Sequence, residues 1–245
     1  MERDRKKDLA VLDNKLLHAG YNLEETEHKL ILAVLGGVNP KLQEKTQAHG
    51  GLIKEQEGDT ICCTEVYWIS VKDFATLYDK EVDDSRKMLK QAALELFKKQ
   101  ITFKEPEVGR TSYIRWVQKI VFDDVNDAIG VMWTYDVTKY LCQLVSSFTQ
   151  LRLGDIAKLK GAYAIRFYEL WLARYKERGK RHEVEFTLKE LYFSMAVPES
   201  RQEYAEFKRR ILVPVLKELA DKKVIKLVIK ERKLGRKVVG LGFLS

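Results

Sequence analysis

Residues 203–223, EYAEFKRRILVPVLKELADKK, run directly into residues 224–244, VIKLVIKERKLGRKVVGLGFL. The first segment reads as a helix and the second as a hairpin whose turn, Glu231–Lys237 (ERKLGRK), carries four positive charges in seven residues. A helix sized for a groove beside a ribbon with cationic fingertips is the design of a winged helix-turn-helix, and it implies duplex DNA as the ligand.

A helical wheel at about 100° per residue divides the helix. Tyr204, Phe207, Ile211, Leu212, Val215 and Leu219 share one broad face, with Gln202, Glu206, Arg209, Arg210, Val213 and Lys217 opposite. Arg209 and Arg210 are thus expected to face a groove and read base edges, since a planar guanidinium pairs with guanine O6 and N7 together. Arg201 and Gln202 should assist at the helix start. Ser200 is expected to cap the helix and leave its N-terminus aimed at a phosphate. Lys208 falls near the apolar face and should reach out from its edge. Pro214 lacks the amide that would bond to the carbonyl of Arg210, so a kink is expected there. On the hairpin, Arg232, Lys233, Arg236 and Lys237 suit phosphates, which position a protein without specifying sequence. Lys217 completes this candidate DNA-binding set.

Charge distribution supports the same reading. Of a net +8, residues 1–150 hold 21 Lys+Arg against 24 Asp+Glu, and residues 151–245 hold 23 against 12. The basic excess therefore lies wholly in the C-terminal part, as expected for a face that meets a polyanion. Nucleic acid is the first candidate and an anionic membrane the second. No run of about 18 apolar residues exists to span a bilayer, and the charged start MERDRKKDLAVLD does not read as a signal peptide. Cys62, Cys63 and Cys142 make neither a disulfide framework nor a zinc pattern, so reduced thiols in a cytoplasm are expected.

Upstream, residues 8–19 and 24–35 read as amphipathic helices, the first ended by Gly20 and the second capped by Asn22 with Glu25. Leu9, Leu16, Leu23 and Leu30 stand seven apart. A zipper is disfavoured because Gly20-Tyr21-Asn22 interrupts it, so these leucines should face a globular core, with part of the stripe open to reuse in a dimer. Residues 36–60 read as an exposed loop. A strand at 64–70, helices at Val71–Tyr78 and Asp83–Lys99, and strands at 100–105, 112–122 and 128–135 follow. A helix at 136–148 then links to a second part: helix Leu159–Lys176, strand 182–187, helix Leu188–Phe193, a turn at Pro198-Glu199-Ser200, and the quoted helix and hairpin. Both parts have a winged-helix order. The expected fold is α+β, two tandem winged helices: an N-terminal domain over 1–135, a linker helix over 136–150 and a C-terminal domain over 151–245.

The stretches KLKGAYAIRFYELWLARYKERG (158–179), VEFTLKELYFSMAVPESRQEYAEFKRRILVPVLKELADK (184–222) and GRKVVGLGF (235–243) resemble the plasmid replication initiators of the iteron-binding Rep type. The family pattern Tyr-Ala-Ile-Arg-hydrophobic-Tyr-Glu-Leu stands at Tyr163–Leu170, and Phe-Lys-Arg-Arg-hydrophobic-Leu at Phe207–Leu212. The similarity is strong over about residues 150–245 and weaker over 1–135. The resemblance implies monomers that start replication at repeated origin sequences (iterons) in double-stranded DNA, and dimers that repress the initiator's own promoter at an inverted repeat. It implies a C-terminal domain that is the main base reader, and an N-terminal domain that dimerises and touches DNA more weakly. A host initiator protein and the replicative helicase are the implied partners. The alternative is a winged-helix transcriptional repressor with no replication role.

An enzyme would need a reacting constellation. His18, His28, His49 and His182 are scattered, and Gly179-Lys180-Arg181 lacks both the upstream glycine and the following Ser or Thr of a phosphate-binding loop. Tyr163, Tyr168 and Tyr175 fall in an apolar helix and read as packing residues. Asp83-Asp84 suits a helix N-terminus and Asp123-Asp124 a polar turn better than a metal. The expectation is a binding protein that needs no metal or cofactor.

Overall fold

The computed structural model describes residues 9–36, 53–54, 60–61, 65–142, 147–177 and 183–245. Cys62, Cys63, His49, His182, the Gly179-Lys180-Arg181 segment and most of the 36–60 loop lie outside them.

The chain opens with β1 (Leu9–Asp13) and a short α1 (Asn14–His18). This corrects the expected helix over 8–19. Burial alternates along Leu9–Asp13 with the period of a strand, and β1 pairs antiparallel with β9 (Phe148–Arg152), far along the chain. Five residues cannot separate a period of 2 from one of 3.6, and the distant partner decides between them. Asp13 ends the strand, its carboxylate accepting the Lys15 amide at 2.7 Å. The following helix α2 (Glu25–Gly36) is buried from Glu27 onward, its charged residues included. Its N-terminus differs from the expected Asn22–Glu25 box, since the Glu24 amide donates to the Glu27 carboxylate at 2.9 Å. Leu16, Leu23 and Leu30 are at most 2% exposed, so the leucine stripe is internal and is not available to a second chain.

Within the expected 36–60 loop, the short strands β2 (Ile53–Lys54) and β3 (Thr60–Ile61) pair antiparallel. Then come β4 (Tyr67–Ser70), α3 (Val71–Leu77) and α4 (Val82–Lys98). Ser70 caps α3 by accepting the Asp73 amide at 3.0 Å. Four strands follow: β5 (Gln100–Glu105), β6 (Arg110–Arg115), β7 (Val117–Asp123) and β8 (Ala128–Trp133). The expected strand over 112–122 is two strands in two sheets, β5-β6 and β4-β8-β7. The break is Trp116, which is 2% exposed, packs edge-on against Tyr21 at 5.1 Å between ring centroids, and accepts the Thr134 amide at 3.1 Å. In the turn between β7 and β8, Asp123 accepts the amides of Val125 and Asn126.

After α5 (Tyr135–Cys142) the chain is already extended again at Phe148, so the expected helix over 136–148 is shorter than predicted. Next come α6 (Leu153–Lys158) and α7 (Ala162–Glu177). Leu159 lies before α7 rather than in it, because the Glu218 carboxylate accepts the amides of Lys160 (2.6 Å) and Gly161 (3.0 Å) and so defines where the helix starts. A Cβ on Gly161 would stand 2.6 Å from that carboxylate, so this close approach suits glycine. The chain continues through β10 (Glu183–Thr187), α8 (Leu188–Ser194), α9 (Tyr204–Phe207), α10 (Val213–Asp221), β11 (Val228–Leu234) and β12 (Lys237–Leu244). The last sheet has the order β10-β12-β11, and on its inner face Phe243 meets both Phe186 and Phe167 of α7 edge-on. Thr187 and Glu190 form a complete capping box on α8. Among the described residues no helix is long and apolar enough to cross a membrane.

Candidate nucleic-acid interface

The presenting helix runs from Tyr204 to Asp221 with one irregularity. Residues Lys208–Leu212 form a wider π-helical turn, and the Val213 amide bonds back to the Lys208 carbonyl. This is where the missing amide of Pro214 leaves the ordinary ladder short of a donor, and the helix adjusts by widening. The buried stripe is as the wheel predicts: Phe207, Ile211, Leu212, Val215 and Leu219 are at most 4% exposed. On the other side Arg209 and Arg210 are exposed, and so are Val213 and Lys217.

The helix start differs from expectation. Ser200 lies in a separate 3-10 turn, Glu199–Arg201, and the residue that precedes the helix is Glu203, which makes no side-chain cap. Gln202 donates to the Val197 carbonyl at 2.8 Å, which ties down the approach to the helix. Ser200 and Arg201 remain exposed beside it.

The arginines are not loose. Glu206, one turn earlier, accepts from Arg209 Nη2 at 2.6 Å and from Arg210 Nε. Those two hydrogen bonds hold the Glu206 carboxyl below the usual carboxylate range. Glu231 on β11 does a similar job at the edge of the helix, accepting from Lys208 Nζ at 2.7 Å and Tyr204 OH at 2.6 Å. Lys208 first, then Tyr204, bring the Glu231 carboxyl down to about 2, so the clamp stays charged at any ordinary pH.

The wing is narrower than the sequence suggests. β11 extends through Leu234 and β12 begins at Lys237, leaving Gly235-Arg236 as the turn, with Gly235 at φ 60°. Arg232 and Lys233 therefore sit on the strand, at a register shift between them. Arg232 pairs with Glu185 at 2.7 Å, Lys233 with Glu231 at 3.4 Å, and Lys230 with Glu183 at 3.5 Å. By contrast Arg201, Lys217, Arg236 and Lys237 have no ion-pair partner among the described residues. The cations thus fall into two groups, one held by carboxylates and one open to an incoming anion.

A second basic surface escaped sequence reasoning. An open cleft runs between the end of α4 with β5 and the end of α8, with Lys98, Lys99, Lys104 and Lys189 on its walls and Gln202 at its rim. Lys104 lies over the Phe193 ring at 4.5 Å, and Lys99 reaches buried Glu27 at 3.5 Å. The Lys98-Lys99 pair was visible in the sequence, but its placement against Lys189 depends on how the two halves pack.

The model of a family described as "Initiator Replication protein, WH1" matches residues 9–172. A second model, "Initiator Rep protein, WH2", matches residues 187–244. A replication initiation protein of Escherichia coli is 24% identical over 221 residues, which make up 89% of this chain and 64% of that protein. The chain thus spans a little under two thirds of the length of this curated relative. Among solved structures, a Pi initiator protein crystallised in complex with iteron DNA superposes with a TM-score of 0.73 at 16% identity, covering 97% of this chain and 96% of that one. That likeness concerns the fold, and it spans both halves of the chain.

Proposed function

The chain belongs to the family of initiator replication proteins built from WH1 and WH2 winged-helix domains, and on that premise we propose that it is a plasmid replication initiator that binds iteron repeats in double-stranded DNA. The observation that carries this reading is the pair Arg209 and Arg210, exposed on a helix whose opposite face is buried, beside a wing whose turn cations have no ion-pair partner among the described residues. The C-terminal domain, over 151–245, is the main reader. The N-terminal domain, over 1–135, makes an auxiliary contact, for which Lys104 in the cleft offers a phosphate partner, while Lys98 and Lys99 there already pair with Glu95 and Glu27; the segment 136–150, which ends in β9 paired to β1, joins the two. The protein works by binding rather than catalysis, in the cytoplasm, and hands the origin on to a host initiator protein and the replicative helicase.

Footprinting on the plasmid's own origin tests this. Tandem protected repeats are expected; protection of a single inverted repeat alone would favour a repressor without a replication role. On the protected sequence, Arg209→Ala is expected to lose about 1–3 kcal/mol against the cognate duplex and little against a scrambled one. Arg236→Ala with Lys237→Ala should weaken both duplexes about equally and make the salt dependence shallower, by roughly 0.9 in slope per lost phosphate contact. Equal losses for Arg209→Ala would move that arginine to the phosphate group.

As a dimer the protein represses its own promoter, and the N-terminal domain supplies the interface. Support comes from its exposed large apolar residues, including Trp68 (49%), Leu94 (52%) and Tyr113 (65%). Sedimentation of the whole chain should show mass rising with concentration and a weaker rise for Trp68→Glu. A strict monomer at the highest concentration would overturn the dimer.

A further inference from the structure

Glu206 spends its carboxylate on Arg209 and Arg210 together, at i+3 and i+4, in full view of solvent: the three side chains are 31%, 67% and 53% exposed. Exposed pairs at these spacings contribute little to stability, so folding gives a weak reason for the arrangement. The chemistry of the two possible DNA targets gives a stronger one.

Each arginine retains donors. Arg209 binds Glu206 through one N–H of Nη2 and Arg210 through Nε, which leaves a fork built on the second Nη2 N–H of the first and the Nη1–Nη2 fork of the second. A guanine edge presents two neutral acceptors, and these remaining donors can meet it with the carboxylate still in place. A phosphate is an anion. Brought to the same arginines it stands close to Glu206 and is repelled, and to use the full fork it must displace the carboxylate. The carboxylate therefore weakens phosphate capture more than base reading, which is discrimination by an unfavourable contact with the wrong target. The open cations Lys217, Arg236 and Lys237 carry no such partner among the described residues and are left to hold the backbone.

We propose that Glu206 is a specificity-determining residue that positions Arg209 and Arg210 for base edges and opposes their use on phosphates. The proposal rests on the DNA-reading assignment above. Its test compares the full chain with Glu206→Gln and Glu206→Asp, using a random duplex library for selection and a labelled scrambled duplex for non-specific binding. Wild type should enrich one motif. Glu206→Gln should bind the scrambled duplex about 3- to 10-fold tighter, with a salt slope steeper by roughly 0.9 for each added phosphate contact. Its gain on the selected motif should be smaller, so the ratio between the two falls. Glu206→Asp keeps the charge and should keep most of the wild-type ratio, which separates a charge effect from a packing one.

Equal tightening on both duplexes, or an unchanged affinity for the scrambled one, would overturn the proposal. So would loss of a cytosine preference at one position of the motif, which would make Glu206 a direct reader. Failure of wild type to enrich any motif is a different result, and it would remove the DNA-reading premise along with the inference.

Discussion

Arg166→Ala is expected to destabilise the protein by about 3–5 kcal/mol in chemical denaturation, since it breaks a buried charge network from one side. Arg166 is 2% exposed and all five N–H groups of its guanidinium have partners. Nε donates to the Ser194 carbonyl at 2.9 Å, and Nη2 to the carbonyls of Leu17 at 2.8 Å and Ala19 at 2.7 Å. Nη1 donates to Tyr21 OH at 2.7 Å and Glu169 at 3.3 Å, while the Tyr21 ring lies 3.7 Å from the guanidinium carbon. One side chain on α7 thus satisfies the end of α1 and the end of α8 at once. Alanine would leave these carbonyls and the Glu169 carboxylate buried without a donor, apart from Tyr21 and a longer approach from His28 at 3.5 Å.

Lysine at 166 keeps the charge but has three donors and no fork, so Arg166→Lys should recover only part of the loss. A loss below about 1 kcal/mol for alanine would show that the network is not structural. The same network adds a pH dependence. Burial pushes the Glu169 carboxyl up, but His28, Arg166 and Tyr21 together outweigh it and hold it below the usual range. A lowered carboxyl stabilises the fold above its unfolded value, about 4.3, and that contribution is lost as pH falls through the folded value.

Phe207→Ala is expected to cost about 3–5 kcal/mol as well, by cavity formation, and to abolish selective DNA binding with it. Phe207 is 0% exposed and meets Tyr192 of α8 edge-on at 5.0 Å between ring centroids. It is the last residue of α9, directly before the π-helical turn that carries Arg209 and Arg210. The ring therefore anchors the reading helix to the helix before it. Phe207→Leu refills much of the volume and should restore both stability and selectivity to a large extent. Selectivity unchanged in a destabilised but folded alanine variant would show that the arginines do not depend on this anchor.

The reading helix was legible because its determinants are local. Six apolar residues at helical spacing define one face, and the residues opposite are then exposed by geometry alone. Pro214 was legible in cause but not in form: a missing donor predicts a disturbance, and only the tertiary structure shows that the turn before it widens. Ser200 was misplaced for a related reason. A serine before a helical run resembles a cap, but the 3-10 turn at Glu199–Arg201 moves the helix start to Tyr204.

By itself, the amino-acid sequence determined the order of elements from α7 to the final hairpin, the buried and exposed faces of the helix over residues 204–221, and the concentration of positive charge after residue 150. Each depends on interactions a few residues apart, or on composition alone. Only the tertiary structure decided that Leu9–Asp13 is a strand, that Trp116 divides one predicted strand between two sheets, and that Lys98, Lys99 and Lys189 border one cleft. It also decided which cations are already answered, because Glu183 and Glu185 reach the wing from a strand 47 residues earlier in the chain. Charge counts give the sum of a surface, whereas pairing depends on distances of about 3 Å that arise only when remote segments pack together.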